Sequence, residues 1–199
     1  MTDGATSRAV AFGFDFDHTL GIDHGLERRA LGELGTELGR PLNLDDAALR
    51  GRLDALLDAF RSGRTSMDAM IARFAADFNV KGASAQRWRE RCFALVDPLV
   101  RPIDGAPELV ASLRARGIAT AVLTNGWTPL QQKKIARALG ADAFPLVLVS
   151  DALGAIKPQR AAFDALVHAL GAPRERVWYV GDNARGDVGG ALAAGLRAV

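Results

Sequence analysis

The chain is poor in cysteine, in lysine and in long apolar runs, and each scarcity closes off a class of protein. The single cysteine, Cys92, has no partner within the chain, so no disulfide framework exists. No cluster of cysteine and histidine has the spacing of a zinc site. No apolar run reaches membrane-spanning length, so no membrane partner is expected. Residues 1–7 lack the basic region and apolar stretch of a signal peptide and read as a short disordered tail, which makes the cytoplasm the default compartment. No basic block stands out, and a formal charge of +2 gives no argument for a nucleic-acid partner. Two nucleotide signatures are also missing. No G-x-G-x-x-G follows the first apolar run, and Gly181 to Gly186 has P-loop spacing but leads into Asp187, which would repel phosphate without a metal.

The shortage of lysine is informative in another way. Only Lys81, Lys133, Lys134 and Lys157 stand among 25 basic residues. Where this chain needs a surface cation it uses arginine, so a lysine in a loop carries more weight.

What is present begins with an apolar run from Ala9 that ends in Phe14-Asp15-Phe16-Asp17-His18-Thr19. The run reads as a buried strand. Its spacing predicts that Asp15 and Asp17 point the same way, and two such carboxylates need a metal, a lysine or a shared proton to neutralise them. The alternative is that both merely close a strand in a turn.

From about Leu26 to Val96 the apolar period is helical. Stripes at Leu26–Leu38, Leu49–Phe60, Met67–Phe78 and Trp88–Leu99 predict four short helices, with Thr65 or Ser66, and Ser84, as N-caps. Cys92 lies on such a stripe and reads as core. From Ile103 the rhythm alternates: helix 106–116, strand 118–124, helix 129–139, strand 146–150, helix 159–170, strand 177–180, helix 184–194, and a last strand at 196–199 that Val199 would end. This predicts an α/β fold, a Rossmann-like parallel sheet with helices on both faces. Residues 8–20 and 103–199 would form that core, and residues 21–102 an inserted all-helical domain.

In a parallel sheet the carboxyl ends of the strands share one edge, where ligands bind. Each end here carries polar groups: Asp15, Asp17 and Thr19; Thr124-Asn125-Gly126; Lys157-Pro158; and Gly181-Asp182-Asn183 with Asp187 beyond. A turn role would have to be invoked separately at every loop. His18, His24 and Trp127 lie nearby; the histidines read as incidental loop residues, and the tryptophan as packing.

These four clusters resemble, in order, the four motifs of the haloacid dehalogenase superfamily: Asp15-x-Asp17-x-Thr19, Thr124, Lys157, and Gly181-Asp182 with Asp187. The resemblance covers nearly the whole chain, because the helical insert falls where the family carries its C1-type cap. The region 124–163 is most similar to nucleotidase and phosphoglycolate-phosphatase-like members. The resemblance implies a Mg²⁺-dependent phosphatase acting on a small phosphomonoester. Asp15 would be the nucleophile and Asp17 the acid and base. Asp15, Asp182 and the carbonyl of Asp17 would hold the metal, with Asp187 beside it. Thr124, Asn125 with the amide that follows it, and Lys157 would hold phosphate, Lys157 also offsetting the negative charge. A nucleoside monophosphate, phosphoglycolate or a sugar phosphate would each fit. Alternatives are a 2-haloacid dehalogenase, which normally lacks the second Asp, a phosphomutase, and a phospho-accepting or ligand-binding module without turnover. Oligomeric state is not legible.

Overall fold

The computed structural model describes residues 10–199. The expected tail at residues 1–7, the start of the core at residue 8 and the start of the first strand at Ala9 lie outside them.

The apolar run at the start forms β1, Ala11–Phe14. A short strand β2, Gly21–Ile22, follows. Four helices come next: α1, Leu26–Glu37; α2, Ala47–Arg61; α3, Met67–Phe78; and α4, Ala85–Leu99. The chain then alternates through β3, Arg101–Pro102; α5, Ala106–Ala115; β4, Ala119–Thr124; α6, Leu130–Leu139; β5, Val147–Val149; α7, Ser150–Leu153; α8, Arg160–Leu170; β6, Val177–Val180; α9, Gly190–Ala193; and β7, Arg197–Ala198.

β1 lies at the centre of a five-stranded sheet in the order β5-β4-β1-β6-β7. Every pairing in it is parallel, with Phe14 opposite Val122 on one side and Val180 on the other. Apolar strands of this kind require cover on both faces. β4 is contacted by both α5 and α8. Ala11, Phe163, Leu166 and Tyr179 belong to one buried cluster on the α8 side. Phe14 points to the other face, its ring 6.0 Å from that of Phe144.

The described chain divides into two compact units. One holds the sheet, from its first described residue to Ile22 and from Arg101 to Val199, and the other is the helical segment Asp23–Val100. In the helical unit the apolar stripes face inward: Leu31, Leu34, Leu53, Leu57, Phe74, Trp88 and Cys92 are fully buried. Ser66 and Ser84 cap α3 and α4 by accepting from the Ala69 and Arg87 amides. Asp46, which the apolar periodicity does not single out, caps α2 in the same way. Among the described residues no helix is long and apolar enough to cross a membrane.

Two elements differ from expectation. The helix expected over 184–194 opens instead as a wide π-helical turn, Ala184–Gly189, before α9. Asn183 accepts from the Arg185 and Gly186 amides, and Gly186 and Gly189 weaken the tighter winding. The strand expected over 146–150 ends at Val149, because Ser150 opens α7. The β2–β3 ribbon, with Gly21 opposite Pro102, was not foreseen, since two-residue strands carry no readable period.

β1 has little room for change. A Cβ on Gly13 would stand 2.5 Å from Leu166 Cδ2 and 2.9 Å from Tyr179 Cδ2. Gly13→Ala is therefore expected to lower the unfolding free energy by about 1–3 kcal/mol in urea melts, despite the better strand propensity of alanine. An unchanged midpoint would show that this face has slack.

Candidate active site

The site begins with the register of β1 and β6. The Asp15 amide continues the ladder by donating to the Val180 carbonyl at 2.9 Å, which sets Asp15 beside Gly181 and Asp182. The chain lays strands to one side of β1 first and to the other side afterwards, so this is the sheet's topological switch point. Asp187, in the π-helical turn, folds back so that its carboxylate accepts from the Asn183 amide. One oxygen each of Asp15, Asp182 and Asp187 then lies within 4.8 Å of the others. Asp15 and Asp187 are buried, and Asp182 is exposed.

Lys157 faces this group. Its Nζ donates to Asp15 Oδ1 at 2.7 Å, to Asp187 Oδ1 at 2.6 Å and to the Tyr179 hydroxyl at 2.9 Å. All three of its hydrogens are thereby engaged. Tyr179 in turn donates to the Leu123 carbonyl at 2.7 Å. The loop that carries the lysine is fixed as well: Asn125 Oδ1 accepts from the Lys157 amide, and Asn125 Nδ2 donates to the Lys157 carbonyl.

One ammonium cannot balance three carboxylates. Burial pushes the Asp15 carboxyl up to about 6, Lys157 opposes that rise, and Asp187 adds to it. Burial first, and then the surrounding carboxylates, push the Tyr179 phenol well up, so it remains a protonated donor. The remaining negative charge and the all-oxygen donor set suit a hard divalent cation.

Asp17 is neutralised by a lysine, one of the means its position in the sequence allows. Its Oδ1 lies 2.5 Å from Lys134 Nζ, and its Oδ2 accepts from Gln131 Nε2 at 2.9 Å. Asp15 and Asp17 are therefore paired with different lysines. The extended chain ends at Phe14 and turns at once, with the Leu20 and Gly21 amides donating to the Phe16 carbonyl and His18 at φ 63°. Asp187 contributes more than Asp17 to the raised Asp15 carboxyl.

Thr124 is buried at the end of β4, its hydroxyl 3.4 Å from the Asn125 carbonyl. The Asn125 side chain is engaged with Lys157. The amide that follows it, on Gly126, donates to Ser150 Oγ at 3.0 Å. His18 and His24 are exposed, and Trp127 is buried.

With this geometry in hand, comparison with known proteins is decisive. The sequence model described as haloacid dehalogenase-like hydrolase matches residues 10–195. The chain belongs to that family. The haloacid dehalogenase-like assignment makes it a hydrolase, of the phosphatase type to which its curated relatives belong. It is 32% identical to the phosphoserine phosphatase of Thermus thermophilus, over 93% of this chain and 85% of that protein. It is 30% identical to the pyrimidine 5'-nucleotidase YjjG of Escherichia coli, over 66% of this chain and 59% of that one. Its fold is similar to that of the Bacillus subtilis HAD hydrolase YfnB bound to magnesium, with a TM-score of 0.75 and 24% identity, over 96% of this chain and 88% of that one.

Sequence reasoning missed Tyr179, Gln131, Lys134 and Ser150 in this haloacid dehalogenase-like site. Tyr179 is the chain's only tyrosine and Lys134 one of four lysines, and those rarities were the available signals.

Two outcomes are expected for stability. Tyr179→Phe removes the acceptor for Lys157 and leaves the Leu123 carbonyl without its donor, so it is expected to cost about 1–3 kcal/mol in chemical unfolding. For Asp15 the folded state holds its proton more tightly than the unfolded chain, whose carboxyl has the ordinary value of 3.8. Its contribution to stability is therefore full at low pH and is lost as pH rises between about 4 and 6. Without divalent ions at pH 7.5, Asp15→Asn is expected to be more stable than the parent by on the order of 3 kcal/mol. Equal stabilities across that range would contradict the raised carboxyl.

Proposed function

We propose that the protein is a Mg²⁺-dependent phosphatase that hydrolyses a small phosphomonoester through an aspartyl-phosphate on Asp15. The observation that carries this reading is the buried assembly of Asp15, Asp187 and Lys157, with Asp182 beside it, at the carboxyl edge of a parallel sheet.

Phosphoryl transfer asks a protein mainly for positioning and charge stabilisation. Asp15, at the end of the central strand and held by Lys157, is the nucleophile: its carboxylate oxygen bonds to phosphorus as the ester P–O bond breaks. Asp17 gives a proton to the departing oxygen. It then takes one from the water that attacks phosphorus, which returns Asp15 to a carboxylate and releases phosphate. Thr124 and Lys157 would face the transferred group. The cation would be held by Asp15, Asp182 and Asp187 with the Asp17 carbonyl, and when bound it supplies the positive charge that phosphate needs beside three acids. We read the helical unit as the family's cap, the part that selects the ester.

The named relatives act on phosphoserine and pyrimidine nucleotides, which supports a small organic phosphate as substrate here. The presence of Asp17 and Asp182 disfavours the metal-free dehalogenase reading.

The test is phosphate release from a panel of phosphorylated metabolites. Turnover is expected with Mg²⁺, to stop on chelation, and to fall about 10³-fold or more in Asp15→Asn. Retained turnover in that variant, or halide release from chloroacetate without metal, would overturn the proposal.

A further inference from the structure

Asp17 does not sit loose in its turn. Each of its two carboxylate oxygens receives a different donor from α6: Oδ1 from Lys134 and Oδ2 from Gln131. The two donors are three residues apart on one helix, so they share a face and reach the acid from neighbouring turns. Both are buried, at 4% and 2% exposure for Gln131 and Lys134. A lysine so deep in the protein of a chain that otherwise prefers arginine is not a solvating residue.

Gln131 is anchored in turn. Its Nε2 also donates to the Asn125 carbonyl at 2.9 Å, which fixes which end of the amide faces Asp17. Its side chain lies over Gly126, where a Cβ would come 2.6 Å from Nε2. Its Oε1 is buried with no hydrogen-bond partner. A buried acceptor without a donor costs stability, and leucine at this position would not carry that cost. A residue kept only for packing would not be a glutamine here.

We infer that Gln131 and Lys134 form a positioning clamp for Asp17, holding its carboxylate in the orientation from which it exchanges a proton with the ester oxygen and the attacking water. The inference rests on the phosphatase reading and on Asp17 as its acid and base. Each carboxylate oxygen has two lone pairs, so one can accept from the clamp while another carries or takes the reaction proton. Neither clamp residue touches phosphorus. Both act through Asp17.

A clamp of this kind has a signature that a structural role lacks. The demand for a proton at the ester oxygen grows with the basicity of the leaving group. It is small for p-nitrophenyl phosphate and large for a primary alkyl phosphate. The experiment compares kcat/KM, which reports phosphoryl transfer and not the later hydrolysis of the common aspartyl-phosphate, across a series of aryl and alkyl phosphates for the parent, Asp17→Asn, Gln131→Leu and Lys134→Met, each with Mg²⁺. In the clamp variants the ratio of alkyl to nitrophenyl kcat/KM is expected to fall about tenfold or more, in the same direction as in Asp17→Asn, since general acid–base catalysis contributes about 10²–10⁴-fold. Gln131→Leu also takes the donor from the Asn125 carbonyl and is expected to unfold somewhat more easily than the parent, but a loss of folded protein scales every substrate alike and leaves the leaving-group ratio unchanged. A uniform loss across the series, or none, would overturn the clamp while leaving the phosphatase reading intact. A parent enzyme that turns over no member of the series would overturn both.

Discussion

The arrangement depends on one buried cation. Lys157 places its ammonium between Asp15 and Asp187 at hydrogen-bond distance from each. Removing two carboxylates from water is costly, and a lone lysine offsets that only when its geometry is fully defined. Here it is defined from several directions. Tyr179 receives the third hydrogen, and Asn125 grips the lysine's backbone from both sides. The loop after β4, the loop before α8 and the strand β6 are thus tied together by the side chain that steadies Asp15.

That interaction also accounts for the different behaviour of the acids. Asp15 lies in the dry end of the sheet, and burial holds its carboxyl near 6. Asp182 is exposed, and Asp17 is gripped by α6. The carboxylates converge on one edge, but they occupy different surroundings. On the reading proposed above they serve as a nucleophile, a proton carrier and oxygen donors for a cation, roles that one kind of carboxylate repeated could not divide.

Much of the architecture was legible because it rests on long-period patterns. The stripes at Leu26–Leu38 and Met67–Phe78 marked helices, and the apolar runs at 119–124 and 177–180 marked strands, since burial on both faces demands near-continuous apolar residues. The acids and Lys157 were legible because charged groups at the ends of buried strands are costly to keep unless they neutralise one another or hold a ligand. What escaped was set by tertiary geometry. Nothing in Asp15-Phe16-Asp17 reveals that the chain turns at Phe16 and sends the second acid to another lysine. Nothing in Val177-Trp178-Tyr179-Val180 says that its tyrosine hydroxyl meets Lys157 rather than solvent. The π-helical turn at Ala184–Gly189 was hidden because its glycines are as compatible with an ordinary helix start as with a wide one.

The short ribbon of β2 and β3 has a consequence of its own. It sets Ile22 directly opposite Arg101, so the polypeptide leaves the sheet unit and re-enters it at neighbouring points. The insertion is closed at its base by backbone pairing that is independent of what lies between. A segment joined in this way can be lengthened, shortened or exchanged without disturbing β1, because the strand is separated from the junction by the Phe16–Gly21 turn. On the reading proposed above, the carboxyl edge of the sheet would be kept with different helical inserts, and the accepted ester would change while Asp15, Asp182, Asp187 and Lys157 stay in place.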